Sequence, residues 1–599
     1  MKLRVALALF PLLLAAILMI AQEQRNAPRA GVLRVDQAAF SVVEASIAEL
    51  QQAMTEGRLT SRALVEQYLI RIALYEDALN AVMTVNRRAL AEAEALDRER
   101  AQGRVRGPLH GIPIALKDNI HTTNMATTGG ALAFDGFVPP YEATLVKNLR
   151  DAGAVIIAKT TLTELANWVA GEPTPMPANY SALGGYGMNP YDPRPDPRPG
   201  TNDGRPALSP SGSSSGVGTA ANFWAANVGT ETSGSIISPA NANMLAAIKP
   251  TVGRISRYGV IPITADQDTA GPMAKFVADA AILLGAMESA APDPNDPATG
   301  RCTPPPARDY TRFLNPAALR GARIGIPRAF YYEAVAVPGM PAPQGGLNAE
   351  QRRVMDEAIA VLKQQGAVIV DPADIPSVIS PDPENNLLLW STCSGVGDVR
   401  GQDEDCSIVL KYGMKRDFNK WLATLGPNAP LKSLTELREF NLANKFRGAI
   451  KYGQSNLDIS DEVDLERDRA RYEADRARDI ALTATNGIDA ALEAHQLDAL
   501  LFPSNRGSNL PARPGYPTVV VPFGMLGTPP AAVPLGMLPG VPPRGFPEGF
   551  NPLPAPFGVS FTGTACSEPR LIELGYAFEQ ATKRRVPPPS APPLPPLPP

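Results

Sequence analysis

The chain has 599 residues, 44% of them hydrophobic and 19% charged, enough to bury a sizeable core in one large domain or several ordinary ones. Its 56 basic and 60 acidic residues nearly cancel and no long basic run occurs, which argues against a nucleic-acid partner. Abundant proline (62) and glycine (50) predict many long loops on a compact scaffold.

In chain order, Met1-Lys-Leu-Arg4 followed by the apolar Val5–Ile20 reads as an export signal over residues 1–21. It is either removed after Ala21 or kept as a membrane anchor. A polar linker, 22–39, follows. Ser46-Ile-Ala-Glu49 predicts a capping box, and Ser61–Tyr75 carries apolar residues at helical spacing. Ala89–Gln102 predicts a charged, alanine-rich helix ending at Gly103. Gly107-Pro108 then opens a loop before the apolar strand Ile112–Leu116, which ends in Lys117-Asp118-Asn119. Glu142–Asp151 predicts a helix feeding the strand Ala154–Ala158, and Gln351–Gln365 stands in the same relation to Val368–Val370. Ile324–Ile326, Leu497–Phe502 and Thr518–Val521 are further buried strands. The alternation implies an α/β fold, a sheet covered by helices on both faces, with no clean break into two domains. Asn189–Pro210 and Leu526–Pro556 are loops by composition. Val586–Pro599 cannot build a core and is expected to be a disordered, polyproline-like tail.

Four cysteines fit an oxidising compartment. Cys393 and Cys406 are close enough for a local disulfide, although the sequence leaves the pairing open. No CxxC or histidine-rich spacing supports a metal site, and no cofactor is expected.

The segment Ser211–Ala240 carries the chemistry. Two serine-glycine clusters, Gly212-Ser-Ser-Ser-Gly216 and Thr232-Ser-Gly-Ser235, flank a stretch of small apolar residues. Small residues let backbone amides approach a substrate, and serine supplies hydroxyls that attack or relay protons. A lysine ending a buried strand is expensive unless its charge state is used. There are only three histidines: His110, His121 and His495. The first two flank the Lys117 strand, yet neither cluster has the Gly-x-Ser-x-Gly elbow of a histidine-dependent hydrolase. Gly212–Thr219 lacks the lysine of a phosphate loop. Together these pieces read as a Ser–Ser–Lys hydrolase centre.

At these residues the chain resembles the amidase signature family. Gly111-Ile-Pro-Ile-Ala-Leu-Lys-Asp-Asn-Ile120 is similar to the family's lysine motif, Gly212–Gly216 to its serine-glycine motif, and Gly229–Ala240 to its nucleophile motif. The likeness continues through Ile248–Gly253, Gly259–Pro262, Gln267–Met273, Tyr516–Thr518 and Pro556–Phe561, giving a domain over 40–585. The resemblance implies a large mixed sheet flanked by helices. It assigns Ser235 as nucleophile, Ser213 as bridging serine on a cis peptide, and Lys117 as base. Backbone amides of Thr232, Ser233, Gly234 and Ser235 would form the oxyanion hole, with Ser214 a supporting donor. Two departures stand out. Ser213 and Ser235 are 22 positions apart (235 − 213), two fewer than is usual in the family, so Ser211 is an alternative bridge. The usual Gly-Gly-Ser is here Ser233-Gly234-Ser235, and Ile237 replaces an arginine found in many members. These changes resemble the peptide-amidase branch more than the tRNA-dependent amidotransferase branch.

Thr230, Glu231 and Asp268 read as scaffold, and Trp168 and Trp224 as core. The expected function is an exported amidase acting on a small-molecule or peptide amide. It touches a membrane only if Val5–Ile20 is retained. The rival readings are a catalytically dead amidase-fold binding protein and a glutamine-dependent amidotransferase subunit.

Overall fold

Short apolar strands joined by capped amphipathic helices build an eleven-stranded mixed sheet. In the computed structural model, residues 40–198, 203–212, 216–395, 405–527 and 546–594 are described. In chain order the sheet strands are β1 (Val82–Val85), β2 (Pro113–Lys117), β3 (Val155–Thr160), β4 (Ala226–Glu231), β5 (Ala246–Lys249) and β6 (Thr269–Ala274). They continue with β7 (Arg323–Gly325), β8 (Val368–Val370), β9 (Ala499–Pro503), β10 (Thr518–Leu526) and β11 (Ala555–Thr562). Across the sheet the order is β1-β3-β2-β4-β6-β5-β10-β11-β9-β7-β8. β2 runs parallel to both β3 and β4, whereas β4 and β6 pair antiparallel.

Helices cover both faces, as the sequence predicts. Alternate side chains of one strand point to opposite faces. Val519 and Val521 of β10 meet Gly575 of the helix Glu568–Thr582. Val520 packs with Ile237 and Ala240 of the helix Ile237–Ala242 on the other side. The predicted capping box at Ser46–Glu49 forms, and the structure adds a second that the sequence reading did not name. Ser46 and Glu49 close a capping box on Ile47–Thr55, and Asn348 and Gln351 close another on Ala349–Gln364. Between β8 and β9 the chain inserts helices such as Val409–Thr424, Leu434–Ala443 and Arg469–Ile480. They share a core with Phe134 and Trp168, in which Phe418, Trp421 and Leu422 are buried. From Val42 onward the chain is one compact unit. Among the described residues no helix is long and apolar enough to cross a membrane. The export signal and the whole of the 22–39 linker lie outside the described residues.

Five strands were not foreseen: β1, β4, β5, β6 and β11. In β4, β5, β6 and β11 alanine, glycine or proline interrupts the β-branched run by which the others were recognised. Gly271 shows why small residues are needed. A Cβ there would lie 2.3 Å from the Ile248 carbonyl oxygen on the adjoining strand.

The C-terminal segment differs from the expected disordered tail. Through residue 594 it is strapped to the body, because Arg71 donates to the carbonyls of Ala591 (2.7 Å) and Pro592 (3.0 Å). Ser590 donates to the Pro190 carbonyl (2.6 Å), and Ala591 is buried. A proline-rich chain has backbone carbonyls without N–H partners nearby, and a buried guanidinium satisfies them.

Both pairs of cysteines are joined, Cys393 to Cys406 and Cys302 to Cys566. The second bond links positions 264 apart. Closing so long a loop removes chain entropy from the unfolded state and is worth about 5–6 kcal/mol. Spread over the unfolding entropy of a chain this size, reducing and alkylating it should lower the melting temperature by about 3–5 °C in calorimetry. An unchanged transition would refute this.

Candidate active site

β2 and β4 are parallel neighbours, with Leu116 opposite Val228, so their C-terminal ends open on the same edge of the sheet. Such edges are where α/β sheets hold ligands. Lys117 closes β2 there, and Ser235 follows β4 by one short turn. Lys117 is fully buried. Its Nζ donates to Thr230 Oγ1 at 2.9 Å and to the Thr230 carbonyl at 3.3 Å. Asn119 Nδ2 donates to the same Thr230 Oγ1 at 3.0 Å. Burial lowers the lysine's pKa from 10.5 to about 7, against the opposing pull of Asp268 and Glu231.

Asp118 is not the partner of Lys117. Strand alternation sends it to the opposite face, where it pairs with Lys159 of β3 at 3.1 Å and accepts from Thr128. The lysine at the site is therefore left without a salt bridge from its own chain neighbour.

The turn after β4 is shaped by Glu231. Its Oε2 accepts from the amides of Ile236 (2.7 Å) and Ile237 (2.9 Å), drawing the chain back on itself. Gly234 sits at φ +79°, a left-handed conformation in which a side chain would be strained and would crowd Ser508 and Ser238. The amides of Ile236 and Ile237 are thereby occupied, but among the described residues no acceptor takes the N–H of Ser233 or Gly234. Ser235 is 7% exposed. Ser233 donates to Asn509 Oδ1 at 2.6 Å, and Asn505 donates to Ser238 Oγ at 2.8 Å, so the loop after β9 forms a wall of the turn.

Asp268 holds the opposite side. Its carboxylate accepts from the Thr232 hydroxyl and from the amides of Ile263 (2.9 Å) and Thr264 (3.0 Å). Burial raises its pKa to about 7. Gln267 donates to the Thr232 carbonyl at 3.2 Å.

The second serine cluster reaches this region through Gly212. At φ +63° it lies so close to Pro239 that a Cβ would stand 2.3 Å from the ring. Ser213, Ser214 and the peptide preceding Ser213 lie outside the described residues. Ser211, the alternative bridge, is described, and its hydroxyl bonds neither Lys117 nor Ser235 among the described residues. The histidines stand elsewhere. His110 Nε2 lies 2.9 Å from the Leu96 carbonyl oxygen, and His121 Nε2 accepts from Trp421. Trp224 and Trp168 are core residues, as predicted.

Thr230, Glu231 and Asp268 are thus scaffold in the direct sense that they position the lysine and the turn. Asn119, Asn505 and Asn509 were missed. Asn119 had a signal in the sequence, since it follows Lys117 at the end of the buried strand. The other two come from a loop that only the fold brings near.

Comparison with known proteins agrees with this architecture. The amidase family profile matches residues 63–572. A probable amidase of Arabidopsis thaliana is 32% identical over 556 residues, covering 92% of each chain. The native peptide amidase of Stenotrophomonas maltophilia superposes with a TM-score of 0.72 at 38% identity, covering 91% of this chain and 98% of that one. A glutamyl-tRNA(Gln) amidotransferase subunit of Alkalilimnicola ehrlichii is 29% identical, covering 91% of this chain and 99% of its own. The fold and the site define an enzyme that hydrolyses amide bonds. The chain belongs to the amidase family.

Proposed function

We propose that this chain is an exported amidase that cleaves a carboxamide C–N bond, a peptide C-terminal amide being the favoured substrate, through Ser235, Ser213 and Lys117. The observation that carries the reading is the buried amine of Lys117, brought to about pKa 7 at the strand edge from which the Ser235 turn departs. A neutral amine has two hydrogens and one lone pair. Thr230 accepts from this amine through its hydroxyl and its carbonyl, and in the proposed relay the amine's lone pair takes a proton from Ser213. Ser213 in turn takes the Ser235 proton as Oγ attacks the carbonyl carbon. The N–H groups of Ser233 and Gly234 receive the developing oxyanion. The relay then returns a proton to the nitrogen, the C–N bond breaks, and an acyl ester of Ser235 remains. Water attacks that ester through the same relay and releases the carboxylic acid.

Export is supported by Met1–Ile20 and by the pairing of all four cysteines. The peptide-amide substrate is supported by the likeness to the Stenotrophomonas enzyme. The relatives named as amidotransferase subunits favour a second reading, in which partner subunits are required. The purified full chain, alone, should release acid from a peptide amide, and a fluorophosphonate should label Ser235. If neither happens, the proposal fails. Acid release only on adding partner subunits would favour the second reading.

The Asp268 charge raises the pKa of Lys117, so removing it should do the reverse. Asp268→Asn should move the acid limb of the kcat/KM profile to lower pH by about one unit, while lowering kcat through the loosened Thr232. The two groups titrate near the same pH and their limbs belong to the pair. A limb displaced upward would contradict this arrangement.

A further inference from the structure

The loop that follows β9 touches the site on both sides of one arginine. Asn505 reaches Ser238, Ser508 abuts Gly234, and Asn509 accepts from Ser233. Between them stands Arg506, whose backbone is fixed by a bond from its N–H to the Pro503 carbonyl. The guanidinium of this exposed residue meets no carboxylate or carbonyl among the described residues. Partial desolvation alone pushes its pKa down, with no negative charge to offset it.

The space beside it is an open hollow of about 420 Å³. Arg506 forms one wall, and Gly345, Gly346, Asn348, Gln351 and Arg352 are among the residues of the others. None of the lining residues is acidic. Arg352 is held loosely, by the Tyr332 carbonyl at 3.3 Å and by a half-exposed Glu333 at 4.0 Å. Two guanidinium groups thus face one cavity with little counter-charge, and one of them rises from the loop that walls the Ser235 turn.

We infer that this hollow is a substrate subsite for a carboxylate, and that Arg506 is its specificity-determining residue. The inference rests on the amidase reading above and names the substrate class within it: an amide that also bears an acidic group. Planar, two-pronged donors match a carboxylate, and two guanidinium groups facing one hollow without an acidic neighbour in its lining favour an anion there. Arg506 touches no reacting atom in this scheme. It lowers KM for acidic substrates and leaves the chemistry to the groups at the strand edge.

The test compares peptide amides that carry glutamate or norleucine at the same position, at successive distances from the C-terminal amide. At the best position the wild-type enzyme should prefer glutamate about five- to tenfold in kcat/KM, through KM, and the preference should shrink in 0.5 M salt. Arg506→Ala should bring the ratio near one, Arg506→Glu should invert it, and Arg506→Lys should keep part of it. A ratio that is the same in the wild type and Arg506→Ala at every position, with Ser235 still labelled by a fluorophosphonate, overturns the subsite and leaves the amidase reading standing. Loss of hydrolysis and labelling in the wild type itself overturns the reading beneath it.

Discussion

Replacing Ser235 with alanine is expected to lower kcat/KM for a carboxamide by at least about 10⁴-fold. The attacking oxygen disappears, no acyl ester can form, and the oxyanion amides and the binding surface supply only the residual rate. Ser235 is small and nearly buried, and the turn that carries it is held by Glu231, Gly234 and Asp268. Alanine should therefore leave the melting temperature within about 1 °C. Because the relay acts as a unit, the double variant Ser213→Ala/Ser235→Ala should cost little more than Ser235→Ala alone. Acid release measured by mass spectrometry, beside a thermal melt, checks all three points. Full activity in Ser235→Ala would remove the nucleophile assignment outright.

The second large effect is expected at Lys117, where activity and stability should move in opposite directions. Lys117→Met keeps the length of the side chain and removes the amine, so hydrolysis should fall by roughly 10³-fold or more. Stability follows from linkage. In the unfolded chain the lysine holds its proton to about pH 10.5, whereas in the folded chain it loses it near pH 7. Between those values the unfolded state binds more protons, so stability rises with pH. The burial penalty is fully present below pH 7 and fades toward pH 10.5. At about 1.4 kcal/mol per pKa unit it is on the order of 4–5 kcal/mol at its largest. Methionine escapes that penalty but forfeits the two hydrogen bonds to Thr230. The net expectation is a gain of about 1–3 kcal/mol at pH 6 that shrinks by pH 9. Urea denaturation at the two pH values measures it. A variant less stable than wild type at pH 6 would show that the amine's burial is not costly, and with it the argument for a neutral base would go. The expected trade is the usual one for a site built on a desolvated group.

What the sequence determined was local. The Ser46–Glu49 and Asn348–Gln351 caps depend on residues within one turn, and the folded chain has both. The buried run ending at Lys117 and the serine-glycine turn at Thr232–Ser235 were legible because apolar continuity and small residues leave their mark in adjacent positions. The tertiary structure decided which of those pieces meet. Alternation puts Lys117 and Asp118 on opposite faces of β2, but only the order β3-β2-β4 gives one of them Lys159 and the other Thr230. The strands built from alanine, glycine and threonine, the bond from Cys302 to Cys566, the tail bound by Arg71 and the approach of Asn505 to Ser238 all join residues far apart in the chain. Propensity and periodicity carry information over about one helical turn or one strand. Strand order and side-chain meetings come from burying those elements against one another, a choice made by the whole core at once.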